Sequence, residues 1–486
     1  MGLCSVGSQR LHLFNSRRGD GSSWCVRPLD FVRFLDLLRF ASGIVMPSSI
    51  WDAVGWRNFG LVPDSNRDQY RRGYRTDPSD WFDSAIHFLR RFITYHLNGV
   101  VRIIDERSSP PTMKTCAVIA GGGTSGHVLP AIAIAEALVD SGIDLSEIYY
   151  TGAKRGIETE LIPPTSIRHT FFDVVGLQRS VSLKSLRANC GFFPKLLRAR
   201  RSAIAIFKQE DPQVVVSVGG YASLPAVLAA RKLHIPIVVV SYDRIPGRSS
   251  KLTSRFAQVT AVAFPTSELP RAVMTGAPVR RVIRKVNRET DRVAARQRLG
   301  VRDDSFFIGV IGGSLGSLVL NNAISQFVEE SKDDAHLALR HVVGPRFMKT
   351  YANPIANENA AMNYQVVAYE ENMSDVYASV DLLIGRGGAG TIADIAATGV
   401  PAILIPWKDA SDDHQTSNVK YLSESGAAVL LTEDQVAKKL IDTITELRVN
   451  PSLLHEISIR AFELGAMNRQ GRIAEVIQDV ALGREQ

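Results

Sequence analysis

Cysteine is scarce in this chain of 486 residues. Cys4, Cys25, Cys116 and Cys190 show neither metal-ligand spacing nor the density of a disulfide framework, so a disulfide-stapled scaffold is excluded and a reducing compartment is the default expectation. Long apolar runs are missing too. No stretch approaches the roughly 18 to 20 uncharged residues of a spanning helix, so membrane contact is expected to be peripheral. No basic arm stands out either: the formal charge of +8 is spread along the chain, which argues against nucleic acid and for an anionic ligand or membrane surface. What remains is an ordinary globular composition, long enough for two or three domains of about 100 to 200 residues each.

The first 112 residues lack lysine altogether while carrying fifteen arginines, and they hold Trp24, Trp51, Trp56 and Trp81 of the five tryptophans. No alternation of strand and helix patterns runs through them. Residues 1–112 are therefore expected to be an extension arising from an upstream start, with Met113 as the natural first residue. A second reading takes 81–104 as an amphipathic anchor, with Phe88, Leu89, Phe92, Ile93 and Leu97 on a membrane. No apolar core follows the basic start, which excludes a cleavable signal peptide.

From Met113 onward, short apolar runs alternate with helical patterns, as in a doubly wound α/β protein. Strands are predicted at 115–120, 146–151, 170–175, 213–218, 236–241, 258–263 and 272–275, then at 306–311, 339–343, 364–367, 381–384, 402–406 and 427–431. Each half opens with an apolar strand running into a glycine turn. The expectation is two Rossmann-like domains, 113–278 and 279–468, facing across a cleft with a hinge at 276–284, and a C-terminal helix in 469–486 packing back on the first domain.

The first turn is Gly121-Gly122-Gly123-Thr124-Ser125-Gly126, followed by His127 and a helical pattern through Pro130, Ala131, Ile132, Ala135 and Leu138. Glycines permit a sharp turn and let a ligand approach the unpaired amides of the helix start, where the dipole favours negative charge. A diphosphate fits that turn, with Thr124, Ser125 and Gly126 as donor-binding contacts. The glycines do not follow G-x-G-x-x-G, and the second strand runs into Thr151-Gly152 rather than an acid for a ribose, which disfavours an NAD enzyme.

Further motifs follow: Val218-Gly219-Gly220-Tyr221-Ala222-Ser223, Ile245-Pro246-Gly247, Gly276-Ala277-Pro278-Val279-Arg280, Gly312-Gly313-Ser314-Leu315-Gly316 with Asn321, then 369–373, 386–394 and Asp413-His414-Gln415-Thr416-Ser417-Asn418. In this order, across 113–486, the chain resembles the MurG family. These are metal-independent GT-B N-acetylglucosaminyltransferases of peptidoglycan synthesis.

The resemblance implies UDP-GlcNAc as donor, a polyprenyl-diphosphate-linked muramoyl sugar as acceptor, and neither cofactor nor metal. Ser314 and its loop would hold the phosphates, with Arg280, Asn321 and Arg386 around the nucleotide. The helix start at Ala389, Gly390 and Thr391 would turn its amides to the leaving UDP. Asp394 stands where the family has a glutamate gripping the ribose hydroxyls, and Glu370 stands beside the uracil. Gln415 and Asn418, three apart on one helix face, would read the GlcNAc hydroxyls. His127 would accept the acceptor's proton, and Tyr221 would contact the acceptor. A place on the cytoplasmic face of the cell membrane, beside cell-wall synthesis proteins, is implied as well.

The chain departs from the family where His-Glu-x-Asn is usual and Val240, Ser241, Tyr242 and Asp243 stand instead. Asp243 is then a candidate to take the acceptor proton or to bond the donor sugar. The departure keeps two alternatives open: another UDP-sugar transferase of this fold acting on a glycolipid or small metabolite, and a catalytically silent homologue that binds nucleotide sugar. In 184–208, basic Lys184, Arg187, Lys195, Arg198, Arg200, Arg201 and Lys208 interleave with Leu186, Phe192, Phe193, Leu196, Leu197, Ile204 and Phe207, a pattern that suits an anionic bilayer or a core-facing helix with a solvated basic face.

Overall fold

Uninterrupted apolar strands such as Val214–Ser217 and Leu382–Gly385 must be buried on both faces, and a parallel sheet covered by helices supplies that burial. The computed structural model describes residues 115–176, 191–351, 361–410 and 413–484. The extension 1–112 with its anchor reading at 81–104 lies outside the described residues, as do Lys184, Leu186 and Arg187.

The first sheet comprises β1 (Ala117–Ala120), β2 (Ile148–Ala153), β3 (Arg168–Phe172), β4 (Val214–Ser217), β5 (Ile237–Ser241), β6 (Val259–Val262) and β7 (Ala272–Met274), in the order β3-β2-β1-β4-β5-β6-β7. The second comprises β8 (Phe306–Ile311), β9 (Leu337–Val342), β10 (Asn363–Val367), β11 (Leu382–Gly385), β12 (Ala402–Leu404) and β13 (Val429–Leu430), in the order β10-β9-β8-β11-β12-β13. All the pairings are parallel. Each sheet reverses its strand order beside its first strand, and both glycine turns leave the carboxyl ends of those strands, where doubly wound folds bind ligands.

Each predicted strand is present, β8 at the expected bounds and the others with shifted ends. β2 starts two residues later than expected because Asp144 accepts the Ser146 amide at 2.8 Å and winds Leu145–Glu147 into a 3₁₀ turn.

The chain crosses between the sheets twice. At the first crossing, Gly276 takes φ +75°, and a Cβ there would lie 2.8 Å from the Asn468 amide nitrogen. Asn468, on the second crossing, accepts the Ala277 amide at 2.8 Å and donates to the Ala393 carbonyl at 3.3 Å. Beyond it the helix Arg472–Ala481 lies against Ser125–Asp140 in the first half: Ile473, Ile477 and Val480 share one buried cluster with Ile134 and Leu138, and Gln478 donates to Ser141 Oγ at 2.9 Å.

Candidate active site

The first glycine turn is shaped by a carboxylate. Gly122 and Gly123 take φ +141° and +93°; a Cβ on Gly122 would lie 2.2 Å from Glu158 Oε1, and one on Gly123 2.8 Å from the Tyr221 ring. Glu158 is fully buried and accepts the Gly123 amide at 2.9 Å and the Ala153 amide at 2.7 Å. The Gly123 amide is thus filled from within the protein and is not free for a diphosphate, whose expected contacts, Thr124, Ser125 and Gly126, follow it. The helix start itself stays open: no side chain caps Ser125–Asp140, Thr124 and Gly126 are exposed, and Ser125 is half-buried. Sequence reasoning passed over Glu158. Its signal was the pair Gly152 and Gly156, where a Cβ would come within 3.0 Å and 1.8 Å of the Glu158 side chain.

His127 lies in the first turn of that helix with its ring against Gly220, whose Cβ would fall 2.9 Å from His127 Cδ2. Its Nδ1 is 3.0 Å from the Tyr242 hydroxyl. Burial pushes the imidazole below its ordinary pKa, while the Asp243 carboxylate, the Val218 carbonyl and the Glu158 carboxylate pull the other way. Tyr221 is half-buried beside the same turn, and burial raises its phenol above the usual value.

In the second domain, a Cβ on Gly316 would meet the Val343 carbonyl at 2.0 Å, so the loop is pressed against its neighbour while Ser314 stays exposed. Arg386 faces inward. It donates to Ser317 Oγ at 2.6 Å and to the Ile405 carbonyl at 3.1 Å, and pairs with Glu433 at 2.6 Å. Asn321 is fully buried beneath the loop, donating to the Val343 carbonyl at 3.0 Å and lying 3.1 Å from His341 Nε2. Glu370 is buried too, ion-paired with Arg340 and accepting the Asn372 amide at 2.9 Å. In the structure these three side chains are engaged by partners within the second domain.

The helix Ala389–Thr398 presents its amides differently. No side chain caps it at Gly388, and a Cβ on Gly388 or Gly390 would meet nothing within 4 Å. Thr391 is half-buried in the same turn. One turn on, Asp394 lies 3.3 Å from the Tyr377 hydroxyl. Burial pushes the Asp394 carboxyl up to about 7, against the smaller opposing pulls of Tyr377 and Arg280. Arg280 in turn donates to Glu136 at 2.9 Å, which ties the hinge to the first domain.

The two domains meet at Asn418. It is fully buried, donates to Asp243 at 2.9 Å and to the Gly387 carbonyl at 3.4 Å, and accepts the Arg244 amide at 2.8 Å. Gln415, on the same helix His414–Glu424, accepts the Trp407 amide at 2.9 Å. The structure therefore brings His127, Asp243, Asn418 and the loop ahead of Ala389 into one chain of contacts, with Tyr242 as the link that sequence reasoning had registered only as a departure.

Among the described residues, no group of three or more His, Cys, Asp or Glu is placed to hold a metal ion, and no helix is long and apolar enough to cross a membrane. The helix Phe192–Glu210 buries Phe192, Ala199, Ala203 and Phe207, and leaves Phe193 and Leu197 exposed at 67% and 52% beside exposed Arg198, Arg201 and Lys208. Arg200 is half-buried and donates to the Leu228 carbonyl at 3.4 Å.

Residues 117–262 match the glycosyltransferase family 28 N-terminal domain, and 307–470 match the family 28 C-terminal domain. The UDP-N-acetylglucosamine--N-acetylmuramyl-(pentapeptide) pyrophosphoryl-undecaprenol N-acetylglucosamine transferase of Desulforamulus reducens is 30% identical over 380 residues, 76% of this chain and all of that one. Its counterpart in Desulforudis audaxviator is 33% identical over 377 residues, 75% of this chain and 98% of that one. The crystal structure of Acinetobacter baumannii MurG superposes with a TM-score of 0.57 at 27% identity, covering 75% of this chain and 99% of that one. The chain belongs to the MurG family of glycosyltransferases.

Proposed function

We propose that this protein transfers N-acetylglucosamine from UDP-GlcNAc to the C4 hydroxyl of the muramoyl sugar of a polyprenyl diphosphate lipid, with inversion, to give a β1→4 link. The observation that carries the reading is the contact chain across the cleft: His127 to Tyr242 at 3.0 Å on one side, and Asp243 to Asn418 at 2.9 Å and on to the Gly387 carbonyl on the other. It sets a basic imidazole of the first domain opposite an uncapped helix start of the second.

As the acceptor oxygen bonds to the sugar's C1, the C1–O bond to UDP breaks and the hydroxyl proton passes to His127. The pair of electrons leaves on the β-phosphate. The amides of Ala389, Gly390 and Thr391 stabilise that charge where it grows, the interaction that accelerates the step. Asp394 grips the ribose hydroxyls, Ser314 and its loop hold the phosphates, and Gln415 faces the sugar. Tyr221 receives the acceptor, and the helix start at 124–126 contributes to binding the donor.

The exposed Phe193 and Leu197, with Arg198, Arg201 and Lys208, suit peripheral attachment to the anionic cytoplasmic face of the cell membrane, where a lipid-linked acceptor resides. Incubating the full chain with UDP-GlcNAc and lipid-linked muramoyl acceptor tests the reading; release of UDP with a disaccharide-lipid product is expected, and no product with this acceptor overturns it. Two features favour a second reading: Asn418 has both amide ends engaged by the first domain, and Ser241 stands where the family usually has a carboxylate. Calorimetric binding of UDP-GlcNAc without turnover would select that silent, sugar-nucleotide-binding protein.

A further inference from the structure

Two residues that lie outside the proposed chemistry bear on which nitrogen of His127 carries the proton, beside the Val218 carbonyl, which also accepts from the ring. Pro130 stands four residues after Gly126 in the helix Ser125–Asp140 and has no N–H, so the Gly126 carbonyl lacks the helical donor that any other residue would give it. The Tyr242 hydroxyl donates to that carbonyl instead. A carbonyl only accepts, and a phenol has one proton. The proton is thereby directed to Gly126, and the phenolic oxygen becomes an acceptor 3.0 Å from His127 Nδ1. An acceptor there selects N–H at Nδ1 and leaves the lone pair on Nε2.

We infer that Tyr242 is a positioning residue: held by the Gly126 carbonyl that Pro130 leaves open, it fixes His127 in the Nδ1–H tautomer so that Nε2 is the nitrogen that takes the acceptor's proton. The inference rests on the transferase reading for its kinetic consequence, but not for the tautomer itself. It also gives a use to Tyr242 within the departing segment 240–243.

Tyr242 is 6% exposed, and burial raises its phenol well above the ordinary value, so the hydroxyl stays a donor across the working range. The groups that face the imidazole are the Asp243 carboxylate past the end of β5, the Glu158 carboxylate under the glycine turn and the Val218 carbonyl past β4, all of which favour the protonated ring. Tyr242 itself is neutral, so its loss changes the tautomer more than the charge.

The test is Tyr242→Phe in the full chain, which keeps the buried ring and removes the hydroxyl. A kcat lower by about 10- to 100-fold is expected, with the KM for UDP-GlcNAc changed less than about twofold, the pattern of a misoriented general base. Nitrogen NMR of histidine-labelled protein, with the His127 signal assigned by its loss in His127→Ala, is expected to show the Nδ1–H form in the parent and a shift toward Nε2–H in the variant. Pro130→Ala gives a second approach that leaves Tyr242 in place: it restores an N–H to the Gly126 carbonyl and competes with the phenol, so a change in the same direction is expected. An unchanged His127 tautomer in both variants overturns the inference, as does an unchanged kcat in an active Tyr242→Phe protein. If parent and variants alike fail to turn over lipid acceptor, the transferase reading falls while the NMR signature still decides the tautomer.

Discussion

Asn418 gives both ends of its amide to the opposite domain, donating to Asp243 at 2.9 Å and accepting the Arg244 amide at 2.8 Å. Because it is fully buried, removing it leaves a carboxylate and an amide without partners where water has little access. Asn418→Ala is expected to lower unfolding stability by about 1 to 3 kcal/mol and to raise the KM for UDP-GlcNAc about tenfold. Asn418→Asp, which sets two carboxylates face to face, is expected to be worse than Ala on both counts. Thermal melts and initial-rate kinetics check the order; an Asp variant better than the Ala variant would exclude a role for this amide as the neutral partner of Asp243.

If Asp394 grips the donor's ribose as proposed, donor binding depends on pH. Burial holds its carboxyl at about 7, so near neutrality a large share of the free protein carries it protonated, with one acceptor fewer for ribose hydroxyls. A raised folded-state pKa contributes stability that is complete below the unfolded value of about 3.9 and disappears as pH rises through about 7. Donor binding runs in the opposite sense, since it needs the ionised form. Calorimetric affinity for UDP-GlcNAc is expected to fall about thirtyfold between about pH 8 and about pH 5.5 if binding requires the carboxylate. In Asp394→Asn the affinity is expected to be weak and flat over the same range.

His341 acts on stability instead. Its ring is fully enclosed between Asn321 and Tyr364, and burial lowers its pKa to about 4. A lowered pKa contributes stability that is present above the unfolded value of about 6.5 and is lost as pH falls toward about 4, a total of about 3 kcal/mol. Chemical denaturation from about pH 7 to about pH 4.5 should show this loss, and His341→Gln should have a shallower slope despite its lower stability at neutral pH.

For the proposed membrane face, the burial pattern of Phe192–Glu210 selects the residues to change. Arg198, Arg201 and Lys208 are exposed, whereas Arg200 is half-buried and bonded to the Leu228 carbonyl. Replacing the three exposed cations by Glu is expected to weaken sedimentation with anionic vesicles by at least about 100-fold, taking about 1 kcal/mol per basic residue near the surface. Phe193→Ser should weaken it further in a manner that salt does not reproduce. Unaltered sedimentation of the triple variant would remove this helix from the membrane interface.

Much of the fold was legible because parallel strands leave a strong mark. Runs such as Val214–Ser217 and Leu382–Gly385 are apolar at every position or nearly so, and a glycine at a strand end announces the turn that follows. The site was legible only as a set of residue types. Arg386 and Asn321 have the chemistry to hold a nucleotide, yet the same hydrogen-bonding groups serve equally well to hold Ser317, Glu433 and the Val343 carbonyl, and spacing along the chain does not distinguish the two uses. Glu158 was hidden for a related reason. Its partner Gly123 is 35 positions away, and a carboxylate satisfies backbone amides just as a phosphate would. The phenol of Tyr242 reaches Gly126 across an even longer separation, and it matters only because of a proline on another segment.

Asn468 joins the two passages of the chain between the sheets, bonding Ala277 on one and the helix that carries Asp394 on the other. Two connected passages, unlike a single tether, define a line about which one lobe can turn and resist twisting away from it. A rotation of one lobe against the other is thereby expected to run about that line, carrying the helix Ala389–Thr398, which Asn468 holds through Ala393, with the pivot.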